Sequence, residues 1–242
     1  MSVIDTRMTW LVFHFAYAVN PVERTTTHIA ADAPCFCGAL VARPCPHARF
    51  RPPLCPPAAL VQVPTPAVLC SDPRVPDRPR GNLSGGDAPL PWLLRGIAGL
   101  TQAGASAIAI PCNTAHGWYQ EMLDAAGIPI LHIVDAAAAD LRRMGIGPGK
   151  IGLMGTAATL AMRLYQERLS GQGWDCITPD DDQMARLVTP SIALVKANRV
   201  QEAYEPLASV ANALIARGAA AVVLGCTEIP LGIQAGPAEG LK

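Results

Sequence analysis

Ala107-Ile108-Ala109-Ile110-Pro111-Cys112-Asn113-Thr114 and Ala221-Val222-Val223-Leu224-Gly225-Cys226-Thr227-Glu228 are two versions of one pattern. Each is an apolar run, a turn-prone residue, a cysteine and then small polar residues. Runs this short predict buried strands rather than helices. Each cysteine therefore falls where a strand ends and a helix or loop begins. In open α/β sheets that edge is where ligands bind. Two thiols in equivalent places on two similar units can face one another across a single small molecule.

Working outward, strand patterns cover residues 67–70, 106–111, 128–133, 150–154, 175–178 and 219–225. Helical patterns cover 90–104, 115–126, 135–144, 156–170, 182–197 and 200–217, with Pro190 and Pro206 expected to interrupt the last two. Pro91 suits a first turn, and Gly104 and Gly127 read as stops. Strands alternating with helices predict an α/β fold with parallel sheets flanked by helices. The expected architecture is two pseudo-symmetric Rossmann-like domains, 67–130 and 131–242, with the site in the cleft between them.

Residues 1–66 read differently. From 34 to 66 prolines recur every few residues among Cys, Arg and Ala, and no helical or alternating period survives. Proline at this density breaks helices and central strands, which predicts an irregular segment. Cys35, Cys37, Cys45, His47 and Cys55 are zinc-type ligands, but their spacing does not fit a common structural site, and no metal is expected. Residues 8–19 have a faint signal-peptide outline that His14 interrupts, and the run is too short for a membrane span.

The 242 residues are 50% hydrophobic, enough for a sizeable core, and the formal net charge is zero. A neutral chain lacks the basic face of a nucleic-acid binder. The eight cysteines do not form the spacing of a small secreted disulfide framework. Reduced thiols in the cytoplasm are expected, with neither membrane nor nucleic acid as partner.

A turn after a strand offers backbone N–H groups that favour a thiolate. A lone nucleophilic cysteine would need a base, and His116 is the nearest candidate to Cys112. One helical turn further on, it points along or away from the pocket. A pair of thiols on opposite sides of one carbon does something else: one removes a proton and the other returns one to the opposite face. Thiols suit both roles because their pKa lies within reach of neutral pH.

Pro111-Cys112-Asn113-Thr114-Ala115-His116 and Gly225-Cys226-Thr227-Glu228 resemble the paired motifs of the aspartate/glutamate racemase superfamily. Pro76-Asp77-Arg78 and Val195-Lys196-Ala197-Asn198 are similar to its aspartate racemase branch. The resemblance implies cofactor-independent racemisation of aspartate, or of glutamate, by Cys112 and Cys226. It implies that Asn113, Thr114 and Thr227 hold the α-carboxylate, and that Arg78 and Lys196 hold the side-chain carboxylate. An acidic side chain needs such cations, and arginine grips a carboxylate with two parallel hydrogen bonds. Gly155-Thr156-Ala157-Ala158-Thr159 resembles the family's second-domain loop, whose small residues and hydroxyls suit close approach to a carboxylate; Thr156 reads either as a carboxylate contact or as a helix cap. Asp77 and Glu228 would tune the thiols from behind the substrate contacts. A homodimer is implied, since superfamily members are often dimers.

Two departures stand beside the resemblance. The family's opening strand and Gly-Gly-Met-Gly-Pro loop have no counterpart in the proline-rich stretch. The second unit stops earlier than the family pattern. A related thiol-dependent isomerase or decarboxylase of small carboxylates, and a non-catalytic binding remnant, stay open as alternatives.

Overall fold

The computed structural model describes residues 38–42, 67–83 and 86–236. The 8–19 stretch and the Cys35, Cys37, Cys45, His47, Cys55 set lie outside the described residues. In chain order the elements are β1 (Gly38–Ala42), β2 (Ala67–Ser71), α1 (Arg78–Leu83), α2 (Leu90–Gln102) and β3 (Ile108–Ala109). A 3₁₀ turn (Thr114–Trp118), α3 (Tyr119–Ala126), β4 (Ile130–Leu131), α4 (Ile133–Arg143) and β5 (Gly149–Gly155) follow. Then come α5 (Ala157–Ala161), α6 (Leu164–Ser170), β6 (Trp174–Ile177) and α7 (Asp181–Gln183). A π-helical turn (Met184–Val188), α8 (Thr189–Lys196), α9 (Val200–Ala216), β7 (Val222–Gly225) and α10 (Glu228–Gln234) complete the described chain.

These strands form two sheets, ordered β2-β1-β3-β4 and β6-β5-β7. The second is parallel throughout, with Gly155 of β5 opposite Gly225 of β7. Its alternation sorts the core onto two faces. Ile151 and Leu153 of β5 join Val223 of β7, with Val134 and Leu141 of α4 and Tyr165 and Leu169 of α6 on one face. Met154 and Leu224 meet α8, α9 and α10 on the other, through Val195, Leu207, Leu214 and Ile233. The first sheet buries Ile108 and Ile130 against Leu93, Ile97 and Leu100 of α2 and Met122 of α3. Leu93, Ile97 and Leu100 follow the spacing of one helical face. The α/β fold with parallel pairing and flanking helices read from the sequence is therefore present, throughout the second sheet and between β3 and β4 of the first.

One departure concerns β1, which lies within the stretch expected to be irregular. It pairs antiparallel with both β2 and β3, so the first sheet is mixed. Gly38-Ala39-Leu40-Val41-Ala42 is a proline-free window, which leaves its backbone donors available. Parallel pairing needs a crossover, usually a helix, and the sequence between β1 and β2 is crowded with proline.

The two prolines of the later helices act differently from one another. Pro206 sits inside α9 without ending it. Its lost hydrogen bond costs about 3 kcal/mol, which the burial of Ala203, Tyr204, Leu207, Val210 and Leu214 outweighs. Pro190 follows the widened π turn, which makes room for its ring in a helical stretch that continues to Lys196. The single helix read over 156–170 is instead two, broken at Arg163 with φ of 55°. That break swings α6 so that Tyr165 and Leu169 enter the core. Gly104 (φ 80°) and Gly127 (φ 62°) both end helices left-handed, as their positions predicted.

Helix α10 forms after Cys226, where the sequence leaves a helix or a loop open. It packs on α9 so closely that a Cβ on Gly232 would sit 2.6 Å from Leu207 Cδ1 and 3.2 Å from Ala203 Cβ. Gly232→Ala is therefore expected to destabilise the fold by about 1–3 kcal/mol through overpacking, despite alanine's better helix propensity. The urea midpoint measures this.

Candidate functional site

A cavity of about 250 Å³ is lined by residues that follow β3, β5 and β7, with α1 and the end of α8 contributing the rest. Both cysteines of the duplicated pattern face it. Pro111, Cys112, Asn113 and Thr114 come from the end of β3, Thr156 and Thr159 from the end of β5, and Gly225, Cys226, Thr227 and Glu228 from the end of β7. Arg78, Pro79 and Lys196 close the lining. Among the described residues no cluster of three His, Cys, Asp or Glu side chains could hold a metal, and no helix is long and apolar enough to cross a membrane.

On the first side, Cys112 Sγ lies 3.5 Å from Thr114 Oγ1. Asn113 is buried, and its Oδ1 accepts a 2.6 Å hydrogen bond from the Tyr165 hydroxyl. Its Nδ2 has no hydrogen-bond partner among the described residues. A buried N–H donor without an acceptor costs free energy, and Asn113 is among the residues that line the cavity.

His116 anchors this turn. Its Nε2 accepts from the Ile133 amide at 3.2 Å, so Nδ1 carries the hydrogen and donates to the Cys112 carbonyl at 2.8 Å. Both ring nitrogens are committed, and neither is left to serve as a base for Cys112. Burial holds its pKa below the ordinary histidine value, against the pull of that carbonyl.

His132 stacks edge-on to His116, with ring centres 4.9 Å apart, and its Nδ1 caps α4 by accepting from the Val134 amide at 3.2 Å. Burial first, then the charge environment of His116 and Arg168, push its pKa down to about 3. The unfolded chain therefore binds a proton here that the folded chain refuses. The stabilisation is complete above the ordinary histidine pKa and is lost as pH falls from there toward about 3. Acidification to about pH 5 is expected to remove about 2 kcal/mol through this group. His132→Asn keeps a capping side chain and should flatten that part of the stability–pH curve, measured by urea midpoints.

On the second side, Cys226 is 3% exposed and donates its S–H to Glu228 Oε2 at 2.8 Å. Burial, then the Glu228 charge, push the thiol pKa well up; the Glu228 and Ile229 backbone N–H groups oppose them. Burial works against Glu228 ionisation, but the Cys226 thiol, the Lys196 charge and the Thr227 hydroxyl hold its carboxyl below the ordinary value. Thr227 Oγ1 donates to Glu228 Oε2 at 3.0 Å, and Lys196 Nζ is 3.7 Å from Oε1.

Lys196 owes its place to a helix terminus. It is the last residue of α8; Asn198 follows at φ 58°, with Asn198 N donating to Val195 O and Arg199 N to Leu194 O. That closure is a Schellman motif, and asparagine is among the residues that tolerate its left-handed position. Arg78 is 5% exposed at the start of α1, with Nη1 donating to the Pro76 carbonyl at 3.2 Å.

The cavity thus gathers Cys112, Cys226, Arg78, Asn113, Thr114, Thr156, Lys196, Thr227 and Glu228. Asp77 is not among its lining residues; its carboxylate accepts from the Arg80 amide at 2.8 Å and caps the helix that carries Arg78. Thr156 both lines the cavity and caps α5, accepting from the Thr159 amide at 3.0 Å. Thr159, from the same run as Thr156, lines the cavity beside it. Tyr165 was missed; nothing in its local sequence separates it from an ordinary core aromatic.

The family model described as Asp/Glu/Hydantoin racemase matches residues 57–241. The chain is 29% identical over 160 residues to the broad specificity amino-acid racemase RacX of Bacillus subtilis (strain 168), covering 66% of each chain. It is 28% identical over 132 residues to the glutamate racemase of Streptococcus equi subsp. equi (strain 4047), covering 51% of this chain and 46% of that one. Among solved structures, the Picrophilus torridus aspartate racemase is similar at 30% identity and a TM-score of 0.57, over 67% of this chain and 66% of that one. The chain spans just under two thirds of the Bacillus and Picrophilus relatives and less than half of the Streptococcus one.

Proposed function

The chain belongs to the Asp/Glu/Hydantoin racemase family, and from that premise we propose that it racemises an acidic amino acid with Cys112 and Cys226 as its two bases. The observation that carries the proposal is one cavity lined by both thiols, by the Asn113 amide and by two cations, Arg78 and Lys196. In this reading Asn113, Thr114 and Thr227 receive the α-carboxylate. Arg78 receives the side-chain carboxylate. Lys196 shares its charge between the substrate and Glu228.

Chemistry begins with one thiol deprotonated. Cys226 enters as the acid, because its S–H is already held on the Glu228 carboxylate. Cys112 then removes the α-proton: an S–H bond forms and the Cα–H bond breaks, leaving the electron pair on carbon. Cys226 gives its proton to the opposite face, and the roles are reversed for the mirror-image substrate. The α-proton is far less acidic than a thiol, so hydrogen-bond donors fixed around the carboxylate must stabilise the carbanion-like state in a water-poor cavity. We take 67–130 and 131–242 to act as two domains whose closure over the substrate excludes that water. Reduced thiols suit a reducing compartment, in line with a cytoplasmic enzyme.

The test is direct. Purified protein without added cofactor is incubated with each enantiomer of aspartate and of glutamate, and the product is resolved by chiral chromatography. Conversion of both enantiomers of one acid to a racemic mixture is expected. Folded protein that leaves all four unchanged overturns the proposal.

A further inference from the structure

Among the donors of the cavity, Asn113 has a partner whose place in the fold is unusual. Tyr165 belongs to α6, beside the second sheet, whereas Asn113 follows β3 of the first. The phenol nevertheless reaches across and donates to Asn113 Oδ1 at 2.6 Å, with both side chains buried. Its ring edge also lies over the backbone before Cys226: a Cβ on Gly225 would meet Tyr165 Cε2 at 3.3 Å. One side chain therefore touches the strand end that carries one thiol and the amide next to the other.

We infer that Tyr165 is a positioning residue that fixes the orientation of the Asn113 amide, so that Nδ2 and not Oδ1 is presented to the substrate α-carboxylate. An asparagine amide is nearly symmetric in shape, and only its hydrogen bonds decide which end points where. With Oδ1 held by a phenol donor, the other end is the one left for the ligand, and among the described residues Nδ2 has no partner. Burial, then the nearby Cys226 and Cys176 thiols, push the phenol pKa up, so it remains a donor. A flipped amide would set a carbonyl oxygen against a carboxylate and repel it. The role assigned here rests on the α-carboxylate assignment of the proposed function.

The test is Tyr165→Phe, which keeps the ring and removes only the hydroxyl, alone and combined with Asn113→Ala. Tyr165→Phe is expected to raise KM for the amino acid about tenfold with a smaller change in kcat, the size of one hydrogen bond's orientation. In the Asn113→Ala background the same substitution should leave KM unchanged. An equal effect in both backgrounds, or a loss confined to kcat, overturns the inference, because the phenol would then act through Gly225 and Cys226.

A second readout needs no substrate. The Asn113 side-chain NH₂ pair, followed by ¹⁵N NMR in ligand-free protein, should be one sharp pair in wild type and should broaden or shift in Tyr165→Phe. An unchanged pair also overturns the inference. If wild type racemises no acidic amino acid, the functional proposal falls, while the NMR comparison still decides whether Tyr165 sets the amide.

Discussion

Cys112→Ser and Cys226→Ser are each expected to lower the rate of inversion by roughly 10³-fold or more while leaving the fold intact, a loss of the size that general acid–base groups contribute. The physical reason is acidity. A serine hydroxyl fits the space of a thiol but holds its proton too tightly near neutral pH to become the base or to serve as the acid. Neither variant should lose much stability. Cys226 is buried with its S–H on Glu228 at 2.8 Å, and serine there still donates to the carboxylate. Cys112 is half-buried with a 3.5 Å contact to Thr114, so serine there should be nearly neutral for folding. Chiral chromatography reads the activity and a thermal melt reads the fold. Full racemase activity in either folded variant would remove that cysteine from the reaction.

Arg78→Leu is expected to reduce kcat/KM for the acidic amino acid about 100-fold, mainly through KM, because truncating one partner of a buried charge pair costs 2–5 kcal/mol. The neighbouring cation cannot take over. Lys196 is 3.7 Å from Glu228 and already shares its charge. Arg78 lies at the start of α1, 5% exposed, on the cavity wall. Leucine keeps the bulk and removes the fork that matches a carboxylate. The same variant should lose little on an amino acid with a short neutral side chain, so the ratio of kcat/KM for aspartate over alanine collapses. A uniform loss on both would move Arg78 from side-chain recognition to the α-carboxylate.

Much of the site was legible because its residues sit at strand ends, and strand ends announce themselves. The runs before Cys112 and Cys226 are apolar and short, so the turn that follows each is located to within a residue or two. Lys196 was legible for a different reason, as one of three lysines in the chain beside the asparagine that closes α8. Asp77 shows a local role that the sequence also allows. An aspartate before a short helix is read equally as a cap, and capping is what its carboxylate does.

What stayed hidden depended on distance along the chain. Tyr165 reaches Asn113 across 52 residues, and no local pattern encodes that contact. The commitment of both His116 nitrogens required the position of Ile133, a turn after the next strand. The antiparallel place of β1 was hidden by the prolines around it, which dominate the composition of the window and conceal five residues free of proline. Pro206 misled for the opposite reason: its local cost is real, but the buried face of α9 outweighs it.

The central claim is that two different thiols work on opposite faces of one carbon, and the fate of the α-hydrogen tests it most directly. Protiated L-substrate is converted in D₂O and sampled early, before much product has formed. Two bases predict that nearly every D-product molecule carries solvent deuterium at Cα while the remaining L-substrate carries almost none. Substrate-derived hydrogen retained in the product, or deuterium arriving equally in both enantiomers from the first samples, would mean a single base serving both faces and would contradict the account.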